Sequence, residues 1–101
     1  MKNIIKFKFD HKEGFFSVVE KKGYYYTLVQ KDTAKVEEIK NTNHLLISYD
    51  VKNPSYQETE VKVLEDHHLV EWVFNTLKEQ NNLYFKTLDE SLCVLEINKA
   101  S

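Results

Sequence analysis

The chain of 101 residues is long enough for one domain, 1–101, near the lower size limit for a core that folds unaided. Its hydrophobic content of 42% and charged content of 30% are typical of a folded globular protein and exclude a disordered chain. Lysines and acids are interspersed, arginine is absent and the net charge is −2. This pattern argues against nucleic acid as a partner, because nucleic-acid binding usually needs a concentrated basic face.

The sequence also argues against a membrane segment. No apolar run approaches the roughly 20 residues that span a bilayer, and lysines interrupt the hydrophobic pairs of residues 1–10. Cys93 has no second cysteine with which to form an intrachain disulfide, as is common in a reducing compartment. We therefore expect a cytoplasmic protein.

The first third of the chain has the pattern of β-strands. In residues 5–9 three apolar side chains alternate with two lysines, a period of two that separates an apolar from a charged face. A turn at 10–14 follows. Segments 15–20 and 24–29 then flank "KKG", where Gly23 can adopt a positive φ without steric cost. This arrangement predicts a hairpin.

A short helix is predicted over 33–40. Val36 and Ile39 lie three residues apart on one face, and either Asp32 or Thr33 can cap the first turn. Two strands are predicted over 45–51 and 59–63, and in the second of them Val61 and Val63 alternate with charged residues. A final pair of strands is predicted over 83–86 and 92–97.

The strongest helical pattern follows Asp66, a typical N-cap residue. Its apolar stripe comprises Leu69, Val70, Val73, Phe74 and Leu77. Trp72 lies off this stripe, so we expect it to point away from the core and to lie at or beside an interface.

Short links between strands favour antiparallel pairing. With about 6–7 strands and two helices, the order of elements predicts an α+β fold built on an antiparallel β-barrel or strongly curled sheet. We expect one core shared by the barrel and the helices, and its members are Val36, Ile39, Leu45, Ile47, Val61, Val63, Val73, Leu77 and Val94.

The junction "KDTAK" at 31–35 has what a phosphate group needs. A helix N-terminus offers unpaired backbone N–H groups, the Thr33 hydroxyl can donate a hydrogen bond, and Lys35 and Lys31 can supply positive charge. The alternative is that Thr33 or Asp32 simply caps the helix while the lysines are solvated. Asp32 would also repel a dianion.

The order of elements and the stretch "GYYYTLVQKDTAKVEEIKNTNHLLISYD" resemble the flavin mononucleotide (FMN)-binding split barrel of the pyridoxamine 5′-phosphate oxidase-like family. Thr33 and Lys35 match the family's hydroxyl residue and lysine. Asn43 matches the first residue of its Asn-Pro turn, and His44 replaces the proline. Val29 stands where the family often has a threonine, and the family's first-hairpin arginine is absent.

The resemblance implies a homodimeric split barrel that binds FMN between its subunits, with the phosphate held by Lys31, Thr33 and Lys35, and that acts on a small-molecule substrate. A flavin would supply the redox chemistry, and no side chain is identified as its acid or base. One alternative is a non-catalytic dimeric barrel that has lost the cofactor and serves as a binding or structural module. Another is an unrelated small barrel that binds a peptide or metabolite.

Other chemical groups give weaker patterns. His67 and His68 diverge by about 100° on a helix, so they cannot chelate one ion together, and no metal site is predicted. Cys93 has apolar neighbours and is expected to be a buried, inert thiol. The tyrosines of 24–26 alternate between two faces of a strand, so they cannot present three rings to one ligand.

Overall fold

The computed structural model describes residues 3–99, which form seven β-strands and two α-helices. In chain order these are β1 (Ile4–Phe9), β2 (Lys12–Ser17), β3 (Val19–Lys21), β4 (Tyr24–Gln30), α1 (Ala34–Thr42), β5 (His44–Ser48), β6 (Gln57–Leu64), α2 (His67–Glu79) and β7 (Leu92–Asn98). Within residues 3–99, neither helix combines the length and the apolar character needed to cross a bilayer.

The seven strands pair antiparallel in the order β2-β1-β5-β6-β7-β4-β3. The two outer strands, β2 and β3, are consecutive in the chain and are separated only by the buried Val18. The bend at Val18 therefore carries the chain from one outer edge of the sheet to the other, which curls the sheet into a barrel. Thr27 on β4 bridges this junction, because its Oγ1 donates a hydrogen bond of 2.6 Å to the carbonyl oxygen of Ser17 on β2. The predicted α+β split barrel is confirmed.

The predicted hairpin at Gly23 is confirmed, but its first strand is shorter than expected. β3 pairs with β4 across Lys22 and Gly23, whose φ angles of 51° and 85° suit a tight hairpin turn. The predicted strand over 15–20 is divided at Val18, since its first half belongs to β2 and pairs with β1. Local alternation cannot reveal such a division, because both halves are extended.

The predicted strand over 83–86 is wrong. This segment is irregular and lies between α2 and β7. Both edges of β7 are already hydrogen-bonded, one to β6 and the other to β4, so no edge of β7 is free for another strand. The total of seven strands still holds because the division at Val18 supplies the additional one.

The prediction of one shared core is also wrong, because the buried apolar side chains form two clusters. The barrel cluster contains Ile5, Phe16, Val18, Val29, Val36, Ile39, Leu45, Ile47, Val61, Cys93, Leu95 and Ile97. The outer cluster, where α2 packs on β4 and β7, contains Val19, Leu28, Val70, Val73, Phe74, Leu77, Leu92 and Val94. Alternation along β7 sends its side chains to both clusters. Of the residues predicted to be in the core, Val63 is only partly buried.

Both predicted helices are confirmed, together with their caps. The Thr33 hydroxyl accepts a hydrogen bond from the Val36 backbone N–H at 3.3 Å, and Asp66 accepts one from the His68 N–H at 2.9 Å. Helix α1 ends at Asn43, which adopts the left-handed conformation that often terminates helices. Helix α1 contributes Val36 and Ile39 to the barrel cluster, so its buried face packs on the barrel.

Candidate functional site

A groove of 740 Å³ opens between β2, β4, the first turn of α1 and the irregular segment after α2. We call it the aromatic groove, because five aromatic residues line it: Phe7, Phe15, Phe16, Tyr84 and Phe85. Thr33 and Lys35 also line it, and its lining contains no carboxylate and no imidazole among residues 3–99. The groove is therefore apolar, with one cationic group at the start of a helix.

Stacked phenylalanine rings form one wall of the groove. The rings of Phe7 and Phe16 stack with centroids 4.3 Å apart and an interplanar angle of 18°. Gly14 lies opposite Phe7 in the β1–β2 register, and a Cβ atom at Gly14 would lie 2.5 Å from the Phe7 ring. Glycine is thus required at this position for the Phe7 ring to lie flat across β2.

Lys35 extends from the first turn of α1 over these rings. Its Nζ lies 4.5 Å from the Phe7 centroid and 5.3 Å from the Phe16 centroid, a cation–π arrangement. Burial lowers the pKa of Lys35 below its ordinary value. Within residues 3–99 the ammonium group has no carboxylate within ion-pair distance. Lys35 is therefore a partly desolvated cation without an internal counter-charge in this range.

Thr33 lies beside Lys35, but its hydroxyl is already used in local structure. Its Oγ1 accepts from the Val36 N–H and donates to the Gln30 carbonyl oxygen at 3.4 Å. The first helical hydrogen bond runs from the Glu37 N–H to the Thr33 carbonyl oxygen at 3.1 Å. The backbone N–H of Lys35 therefore precedes the first helical bond and is available to an anion.

Lys31 does not line the groove. Its backbone N–H donates a 2.8 Å hydrogen bond to the carbonyl oxygen of Ser91, which joins the end of β4 to the segment before β7. Of the three residues predicted to hold a phosphate, the structure thus brings Thr33 and Lys35 together on the groove and places Lys31 outside its lining. Val29 lines the groove but is 5% exposed and offers no hydroxyl.

The wall that faces Lys35 was not predicted from the sequence. The alternation in residues 5–9 indicated that Phe7 shares a face with its apolar neighbours, but its stacking on Phe16 depends on the β1–β2 register. The available signal was Gly14, since an isolated glycine within a strand often marks the close approach of another group.

No protein-family profile and no curated protein matches the chain. Solved structures do match. A candidate pyridoxamine 5′-phosphate oxidase from Listeria innocua is 16% identical with a TM-score of 0.64, and the match covers 95% of this chain and 81% of the other. General stress protein 26 from Bacillus anthracis strain Sterne is 16% identical with a TM-score of 0.60, covering 96% and 78%. An F420 reductase is 9% identical with a TM-score of 0.58, covering 97% and 85%.

The chain has the split-barrel fold of these proteins. Identities of 9% to 16% establish the fold alone. Residues 23–50 predicted a resemblance to pyridoxamine 5′-phosphate oxidase-like proteins. This resemblance is confirmed at the level of the fold.

Cys93 lies on the barrel side of β7 and is completely buried. Burial is the main reason that the pKa of its thiol rises to about 11. A thiol with a raised pKa carries little thiolate at neutral pH, and thiolate is the nucleophilic form. The geometry thus agrees with the expectation of an inert cysteine.

His67 and His68 are exposed at the start of α2, with ring centroids 6.1 Å apart. In the described part of the chain, no group of three or more His, Cys, Asp or Glu side chains is arranged to hold a metal ion.

Trp72 packs within the chain rather than projecting freely. Its ring meets Tyr26 edge to face with centroids 6.0 Å apart, and the Lys21 Nζ lies 4.7 Å from its centroid. Trp72 is thus partly buried and packs against the edge of the outer cluster. These contacts explain its position off the α2 stripe without a partner subunit, and its role at an interface stays a prediction.

Proposed function

We propose that the aromatic groove binds a flavin-type cofactor, FMN, with Lys35 and the first turn of α1 at its phosphate group. The observation that carries this proposal is the environment of Lys35, a partly desolvated cation whose own backbone N–H precedes the first helical hydrogen bond. Such an arrangement favours an anion, because the ammonium group and the helix N-terminus both carry positive charge. Lys31, the third residue predicted to hold the phosphate, lies outside the lining and acts on it only at longer range.

The dimensions and chemistry of the groove fit the remainder of such a ligand. Small-molecule sites commonly measure about 300–1,000 Å³ and combine apolar walls with a few polar groups. The groove of 740 Å³, with aromatic walls and one cation, has this character. A planar aromatic ring is expected to pack against Tyr84 and Phe85 while its phosphate reaches Lys35.

When bound, a flavin supplies the redox chemistry of the proposed oxidoreductase, and a small molecule would be its substrate. The residues of this chain bind and orient the ligand and exclude water from one side of it. The described lining has no carboxylate and no imidazole, and no side chain in it is assigned as the acid or base of the flavin reaction.

Lys35→Ala is expected to weaken FMN binding by about 1–3 kcal/mol, or roughly 5- to 150-fold, because a charge-assisted contact to phosphate is lost. The measurement is a fluorescence titration of FMN with the purified protein. Riboflavin, which lacks the phosphate, should bind the variant and the unmodified protein almost equally.

The matched control is Lys31→Ala, which removes the same charge from the same junction but outside the groove lining. We expect it to change FMN affinity less than Lys35→Ala does. If FMN fails to bind the unmodified protein at concentrations of tens of micromolar, the proposal is wrong and the non-catalytic alternative gains support.

That alternative, a dimeric barrel that has lost the cofactor, is favoured by one specific observation. Both hydrogen-bonding roles of the Thr33 hydroxyl are used within the chain, by Val36 and Gln30. A phosphate would have to displace the Gln30 contact to receive this hydroxyl as a donor. The absorption spectrum of the purified protein separates the two functions, because bound oxidised flavin makes the solution yellow.

We further propose that the chain forms a homodimer. A small domain leaves much apolar surface exposed, and association would cover it. Sedimentation at micromolar concentration should give about twice the monomer mass.

If Trp72 is an anchor of the interface, Trp72→Ala should weaken the dimer by at least about 1 kcal/mol. A dimer unaffected by this change would reject only the role of Trp72, whereas a monomer would reject the dimer itself.

A further inference from the structure

We propose that Lys35 is a nucleophilic amine that captures the carbonyl group of aromatic aldehydes entering the aromatic groove. This inference goes beyond FMN binding and does not require it. It rests on the position of the Lys35 amine inside a groove, on the rings around it and on the lack of a carboxylate partner within residues 3–99.

The environment of Lys35 differs from that of the ion-paired lysines. Lys6 contacts a Glu13 carboxylate oxygen at 3.1 Å, and this contact raises its pKa. Lys40 contacts Glu65 at 3.5 Å. The Glu13 contact favours the ammonium form of Lys6, whereas burial of Lys35 favours the neutral amine and lowers its pKa. Lysine amines that act as nucleophiles commonly occupy such desolvated sites.

The Phe7 and Phe16 rings act in the opposite direction, because cation–π contacts favour the ammonium form. Both rings lie on one side of the amine, and the groove lies open to an incoming molecule. An aldehyde can therefore approach Nζ without displacing a carboxylate.

The walls of the groove indicate an aromatic carbonyl compound rather than an aliphatic one. Tyr84 and Phe85 line the groove with ring centroids 5.2 Å apart, and Tyr84 is 84% exposed, an unusually high value for a large aromatic side chain. Exposed aromatic faces gain most from a planar ring, which can stack or pack edge-on against them.

The chemical step is balanced without an oxidant or reductant. Lys35 first loses one proton to water, and the Nζ lone pair then forms a bond to the carbonyl carbon. The two remaining amine hydrogens leave with the carbonyl oxygen as water, which produces a C=N double bond. The product is an imine between Lys35 and the aldehyde.

Salicylaldehyde is a suitable probe, with sodium cyanoborohydride to reduce the imine to a stable secondary amine. After brief labelling near neutral pH with less than one equivalent of aldehyde, peptide mass mapping locates the adduct among the fourteen lysines. We expect Lys35 to carry several-fold more adduct than Lys31, its neighbour outside the groove. Labelling in urea should remove this difference, because unfolding exposes both amines equally.

Two controls assign the selectivity to the groove. Propanal, which has no ring, should label Lys35 with a smaller preference than salicylaldehyde does. Lys35→Arg keeps the positive charge but cannot form a stable imine, so it should lose the preferred adduct while keeping its circular dichroism spectrum. Equal labelling of Lys35 and Lys31 in the folded protein would overturn the proposal, as would equal preference for both aldehydes.

A third arm, with FMN present during labelling, separates this inference from the proposed function. Preferential labelling of Lys35 that FMN does not suppress would support the nucleophilic amine and contradict the phosphate contact. FMN binding without preferential labelling of Lys35 in the free protein would support the cofactor site and contradict the amine.

Discussion

Leu77→Ala is expected to lower the free energy of unfolding by about 2–5 kcal/mol, the range for truncating a buried leucine. Leu77 is 2% exposed and packs in the outer cluster, where α2 meets β4 and β7. Removing its terminal atoms leaves a cavity that two hydrogen-bonded strands cannot easily close. Urea unfolding monitored by circular dichroism measures the loss.

The adjacent Lys78→Ala is the matched control, because Lys78 is exposed on the same helix and should change stability by no more than about 0.5 kcal/mol. A Leu77→Ala effect as small as that of Lys78→Ala would show that the apolar stripe of α2 does not form a tightly packed cluster. Because Leu77 also lines the groove, FMN binding should be compared only where both proteins are folded.

The local features of the fold were predictable from the sequence because short-range physics determines them. Thr33 and Asp66 cap their helices through contacts that span two or three residues. The division of strand 15–20 and the irregular 83–86 segment were not predictable, because they depend on which strand edges are free. The pairing of β2 with β1 and of β3 with β4 divides 15–20, and the pairing of β7 with both β4 and β6 leaves no place for a strand at 83–86.

The same distinction applies to the candidate site. The position of Thr33 and Lys35 at a helix start follows from sequence, and both residues line the groove. The desolvation of Lys35 does not follow, because it depends on the Phe7 and Phe16 rings, which β1 and β2 contribute. Its neighbour Lys31 has the same side chain in the same junction, yet it lies outside the groove lining. Sequence spacing alone could not separate these two lysines.

Gly14→Ala is expected to destabilise the protein by about 1–3 kcal/mol, the usual cost of overpacking a well-packed site. The new methyl group would lie 2.5 Å from the Phe7 Cζ and 2.6 Å from its Cε1, so the ring must move. Movement of Phe7 disrupts its stack on Phe16 and withdraws the nearer ring from beneath Lys35. We therefore expect both a lower free energy of unfolding in urea and weaker FMN binding.

Gly23→Ala serves as the comparison, because a Cβ atom there meets nothing within 4 Å and its cost comes from a φ of +85°. It should destabilise the hairpin while leaving FMN affinity almost unchanged. A double-mutant cycle with Phe7→Leu then isolates the steric contact, since the cost of Gly14→Ala should fall once the ring is absent. An equal cost in both backgrounds would show that Gly14 is needed for its backbone and not for the Phe7 ring, and would remove the link between this glycine and the wall that faces Lys35.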